Sequence, residues 1–107
     1  MAMLEISVVP VGTPGPSVSG FVAGALKILE GEEGIEYRLT PMGTILEGDL
    51  DRLLVLAGRM HRSAFGPRVQ RVVTTIKIDE RTDKPLTMEG KLKAVSAKLG
   101  EGRSGIS

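Results

Sequence analysis

Apolar positions change their period repeatedly along this chain, and each change marks an element. From Met3 to Val11, MLEISVVPV, the residues Leu4, Ile6 and Val8 alternate with Glu5, Ser7 and Val9, which predicts a strand with one face packed inward. After the loop GTPGP the period lengthens. Val18, Phe21, Val22, Ala25, Leu26 and Leu29 recur at helical spacing from Ser17, a residue placed to cap the first turn, and Gly31 and Gly34 end the helix.

Ile35, Tyr37 and Leu39 then alternate with Glu36, Arg38 and Thr40, and TILEG follows a Pro-Met-Gly corner, so a second and third strand form a hairpin. With Met42 and Gly43 as its turn, Arg38 faces Glu47 and Thr40 faces Ile45 on one side, while Leu39 and Leu46 share the other. Asp49 caps a second helix whose inward residues are Leu50, Leu53, Leu54, Ala57, Ala64 and Phe65, closed by Gly66-Pro67. The β-branched run VQRVVTTIKID, Val69 to Asp79, reads as a fourth strand. Beyond the turn ERTDKP, Thr87 caps a last helix with Met88, Leu92, Val95 and Leu99 at spacings of four, three and four. EGRSGIS reads as a frayed tail, so residues 1–99 form one domain and 100–107 a flexible end.

The order βαββαβ with an added terminal helix predicts an α+β, ferredoxin-like sandwich, two helices covering one face of a four-stranded antiparallel sheet. The other face carries Glu5, Ser7, Val9, Arg38, Thr40, Ile45, Glu47, Val73, Thr75 and Lys77. That mixture is too apolar to stay wholly wet and too polar for a dry core, so a ligand or a second copy of the chain is expected there.

Composition narrows the chemistry. The chain has 107 residues, room for one domain, with 14 Lys and Arg against 13 Asp and Glu, so no broad field favours nucleic acid or an anionic membrane. Phe21, Phe65 and Tyr37 are its only aromatics, too few for a base-stacking platform. With no cysteine there is no disulfide, thiolate nucleophile or cysteine-bound zinc. The first residues lack a signal-peptide pattern and no apolar run approaches a membrane span, so a cytoplasmic protein is expected.

Few residues carry candidate chemistry. GTPGPSVSG reads as a turn and cap, or as a weak anion contact through Ser17 or Ser19, but it matches neither a P-loop nor G-x-G-x-x-G. His61, the one histidine, reads as a hydrogen-bonded helix residue or an interface residue, without metal co-ligands nearby in sequence. Asp79, Glu80 and Asp83 lack the spacing of a calcium loop. Glu47 and Lys77 project onto the open face and need partners, either an ion-pair network with Arg38 and Glu5 or a small polar ligand.

Four segments in order, EISVVPVGT, PSVSGFVA, YRLTPMGTILEG and RVVTTIKIDERTDKP, resemble the thiamine-binding protein family over nearly all of residues 3 to 99. The resemblance implies a ferredoxin-like subunit that pairs through its sheets into a homodimer or homotetramer. It also implies binding of thiamine, or its hydroxymethylpyrimidine part, without catalysis and without a cofactor. The matching positions are Ser7, Pro16 to Ser19, Thr40 to Thr44, Glu47, and Thr75 with Lys77. Given such a ligand, Glu47 suits the thiazolium cation, Thr40, Thr44 or Ser7 the aminopyrimidine, and Met42 beside Gly43 the flat ring. An oligomer or interaction module with no dedicated ligand is the competing expectation, and an enzyme finds little support in one histidine and no convincing carboxylate pair.

Overall fold

Seven elements follow one another in the computed structural model, which describes residues 1–13 and 19–100: β1 (Ala2–Val11), α1 (Ser19–Lys27), β2 (Glu36–Thr40), β3 (Gly43–Gly48), α2 (Leu50–Ser63), β4 (Arg71–Glu80) and α3 (Met88–Leu99). The sheet is antiparallel in the order β2-β3-β1-β4. This is the ferredoxin-like arrangement with an additional C-terminal helix, as the periodicity predicts. The Ser17 cap and the tail from residue 101 lie outside the described residues.

The core fills the space between the sheet and its two helices. Leu4 and Ile6 of β1 and Leu46 of β3 point into it, against Leu53, Leu56, Ala57 and Met60 of α2 and Ala25 and Leu29 from the α1 side. Asp49 caps α2, its carboxylate accepting from the Arg52 amide at 3.3 Å. Beyond Lys27 the first helix tightens into i to i−3 bonds, Ile28 to Ala25 at 3.1 Å and Leu29 to Leu26 at 3.0 Å, so Leu29 stays packed although the α-helix has ended. Glu32 in the following turn accepts from Arg52 at 2.9 Å and Arg59 at 3.2 Å, which ties that turn to α2.

Three sequence expectations are corrected. In α2 the buried stripe runs through Leu53, Leu56, Ala57 and Met60, while Leu54 and Phe65 are exposed. Phe65 lies edge-on to His61, their ring centroids 5.4 Å apart, and His61 Nδ1 meets Thr74 Oγ1 at 2.6 Å, which holds α2 to β4. The hairpin is shifted by two residues: Arg38 faces Ile45, Glu36 faces Glu47, and the connecting pair is Pro41-Met42. An even shift leaves each side chain on its expected face, so the error costs pairings and not sidedness. In α3 the residues Leu92, Val95 and Leu99 are all exposed and only Met88 is buried.

Burial therefore separates two leucines of similar helical or strand regularity. Leu46→Ala should cost about 2–5 kcal/mol, the range for a leucine removed from a closed core. Leu92→Ala should change stability by less than about 0.5 kcal/mol. Urea denaturation of both variants measures the contrast.

Candidate functional site

β1 is ten residues long and β3 six, and their pairing ends at Ile6 opposite Thr44. From Ser7 onward β1 has β4 on one side and no strand on the other. Gly43, where β3 begins, sits so close to β1 that a Cβ there would lie 2.9 Å from the Ile6 carbonyl oxygen. Only glycine permits this approach without backbone movement, and it swings the hairpin tip past the uncovered edge of β1.

Between that edge, the hairpin tip and α1 lies a cavity of about 510 Å³, within the roughly 300–1,000 Å³ usual for small-molecule sites. Ser7, Val8 and Val9 form one wall along the strand edge, and Phe21, Val22 and Leu26 of α1 another. Leu39, Thr40, Pro41, Met42, Gly43 and Thr44 form the lip, and Met60 contributes to the floor. Among the described residues, no charged side chain lines it.

The two lip threonines have different states. Thr40 Oγ1 donates to the Gly43 carbonyl at 2.9 Å and accepts from the amides of Gly43 at 3.1 Å and Met42 at 3.3 Å. One donor and two acceptor sites are all a hydroxyl offers, so Thr40 is fully engaged in building the turn. Its bonds replace the left-handed residues a two-residue hairpin usually needs, and no non-glycine residue here has positive φ. Thr44 is only 5% exposed, and its hydroxyl has no hydrogen-bond partner among the described residues. Since no wholly buried side-chain oxygen or nitrogen among the described residues is left unpaired, that oxygen keeps access to the cavity it lines.

Of the residues singled out in the sequence, Ser7, Ser19, Thr40, Met42, Gly43 and Thr44 come together around this cavity. Ser17 lies outside the described residues. Glu47, Thr75 and Lys77 lie on the open face of the sheet and do not line the cavity: Met3 lies between Glu47 and Asp79, Glu5 between Ile45 and Lys77, and Ser7, opposite Thr75, shares that face and meets the cavity at the uncovered strand edge. The apolar wall from α1 and the floor at Met60 were read in the sequence only as helix packing or not at all. A period of 3.6 does not distinguish a residue facing a void from one facing a neighbour.

The open face receives α3, which pairs with Glu47, Arg38 and Asp79 within one chain. Glu47 Oε2 accepts from the Met88 amide at 2.8 Å and Thr87 Oγ1 from the Gly90 amide at 2.9 Å, satisfying two of the free donors at the helix start. Arg38 pairs with Glu89 at 2.8 Å and Lys91 with Asp79 at 2.6 Å. The expected network of Arg38 with Glu5 and Glu47 is thus replaced by contacts to a helix. Beneath them, Met3, Glu5, Ile45, Lys77, Asp79 and Lys91 line a smaller hollow of about 180 Å³. The described residues contain no group of three or more carboxylate or histidine side chains placed to hold a metal ion, and no helix long and apolar enough to cross a membrane.

The chain thus falls in the class of ferredoxin-like domains, with a ligand-sized, mostly apolar cavity under its hairpin. Within that class, this chain belongs to the family described as thiamine-binding protein, whose model matches residues 4–96. The UPF0045 protein YqgV of Bacillus subtilis is 43% identical over 102 residues, covering 92% of this chain and 98% of its own length. The solved structure of MJ1052 from Methanocaldococcus jannaschii superposes with a TM-score of 0.81 at 40% identity, covering 89% of this chain and 95% of that one. A Thermotoga maritima protein shares the fold at 22% identity, with a TM-score of 0.64 over 88% of this chain and 97% of its own.

Two predictions follow from the hydrogen-bond states. Thr40→Val, which strips the turn of three bonds, should destabilise the protein by about 1–2 kcal/mol, whereas Thr44→Val should be neutral or slightly stabilising because no partner among the described residues is lost. Thermal melts of both variants test this. The second concerns acid: Arg38 holds the Glu89 carboxyl below its ordinary value, by hydrogen bond first and charge second. A depressed carboxyl contributes stability above its unfolded pKa and loses it as pH falls through the folded value. The first turn of α3 should therefore be protected at neutral pH and loosen progressively below the ordinary glutamate value of about 4.3, as read by amide exchange at Glu89 to Lys91.

Proposed function

We propose that this protein binds thiamine or its hydroxymethylpyrimidine half in the cavity between α1 and the hairpin, as a carrier or sensor and without catalysis. The observation that carries the reading is Thr44: a hydroxyl on a nearly buried residue, without a partner among the described residues, in a cavity otherwise lined largely by apolar groups. Such a group costs stability unless something pairs with it.

An aminopyrimidine meets these conditions. Its flat faces suit Phe21, Leu26 and Met42, and its ring nitrogens and amino group offer alternating acceptors and donors to the Thr44 hydroxyl and to the uncovered edge of β1. The thiazolium, permanently charged, belongs at the open mouth beside Leu39 and Met42, where water solvates it, because the lining offers no described carboxylate. The family's description supports the choice of ligand, and the Thermotoga neighbour is itself named for a proposed part in thiamine biosynthesis or salvage. Binding alone fits the lining, which has hydroxyls but no described histidine, lysine or carboxylate to activate them.

Calorimetry with hydroxymethylpyrimidine, thiamine and an unrelated heterocycle tests the reading. Both related ligands should bind, Thr44→Val should weaken them about tenfold, the equivalent of about 1.4 kcal/mol, and Glu47→Gln should leave affinity unchanged. Absence of binding by the folded protein at millimolar ligand would sink the proposal.

A further inference from the structure

α1 is nine residues long, short of the roughly 12–15 at which a helix is even marginally stable in water without packing. Two of its residues, Gly20 and Gly24, are glycines, which weaken a helix relative to alanine because they give up more backbone freedom on folding. Nothing at either place calls for glycine. A Cβ built there meets no atom within 4 Å, and neither residue has positive φ. Neither lines the cavity.

The packing of this helix is uneven from end to end. Ser19, Gly20 and Ala23 are exposed and Phe21, Val22 and Gly24 half-buried, so full burial begins only at Ala25. Past the helix, Leu29 is 1% exposed and Glu32 is held by Arg52 and Arg59 of α2, which anchors the C-terminal end. Phe21 and Val22, the large apolar residues of the weaker half, line the cavity and do not join the core. Side chains that border a cavity have protein atoms on one side only, so they hold a helix down less than packed ones do.

We propose that residues 19–24 form a flap hinged at residues 25–29, which swings off the cavity and back as a local opening well below global unfolding, and which a ligand holds shut. A flat ligand touches Phe21 and Val22 only in the closed position, so binding and closure are coupled. Its exit requires the flap to open, and the two glycines set how often that happens. The flap follows from the helix alone; its gating of a ligand rests on the aminopyrimidine reading.

Amide hydrogen exchange on the free protein reads the flap directly. The amides of residues 23–27 donate to the carbonyls of residues 19–23, all on the flap. They should exchange at least about tenfold faster than the amides of residues 56–60 in α2, once intrinsic rates are divided out. Gly24→Ala should slow them about three- to fivefold, and adding Gly20→Ala should slow them further, because alanine favours the closed helix. Both changes should slow dissociation of hydroxymethylpyrimidine by a similar factor in stopped-flow displacement, although neither residue touches the cavity. Exchange in α1 as slow as in α2, no slowing by Gly24→Ala, or an unchanged dissociation rate in that variant would overturn the proposal. Failure of the unaltered protein to bind the pyrimidine at millimolar concentration would instead remove the ligand reading, and the exchange contrast would still decide the flap.

Discussion

The difference in length between β1 and β3 governs this fold. Six residues of β3 cannot cover ten of β1, and the glycine at the start of β3 lies against the Ile6 carbonyl so that the chain turns away there. Below that point the sheet is closed and its helix side carries the core. Above it the strand edge, the first helix and the hairpin tip cannot fill the space they bound. The cavity is therefore a consequence of strand mismatch, made from residues that would otherwise be ordinary hairpin and core positions.

The two faces of the sheet solve different problems. The helix side buries leucines and leaves one neutral hydroxyl facing the void. The open side gives three of its charges a partner on or beside the first turn of α3, with Glu47 capping that helix and Arg38 and Asp79 fixing its flank. These contacts are exposed ion pairs and a single cap, so they orient the helix more than they stabilise the domain. They also explain why a carboxylate that invites a cation in the sequence does not stand at the cavity.

Much of the fold was legible because period and cap chemistry are local. Alternation in β1, the Asp49 and Thr87 caps and the β-branched fourth strand all correspond to observed elements. Pairing and depth were less legible. The hairpin register turned on whether Gly43 or Pro41 joined Met42 in the turn, and the answer came from the Thr40 hydroxyl, which propensity does not reveal. The stripe of α3 has helical spacing, yet three of its four residues are exposed. For the cavity, the sequence drew attention to the hairpin residues Thr40 to Thr44 and to Ser7, but the walls from α1 depend on where the sheet ends, which is a property of register and not of any one segment.

The self-contained turn at Thr40 has an implication for how this lip changes over time. Because one threonine hydroxyl fixes the backbone from residue 40 to 43, the corner holds its shape without help from the side chain at its tip, and that residue, Met42, is 84% exposed. Position 42 is thus a place where volume, polarity or charge at the mouth can vary while the frame stays still.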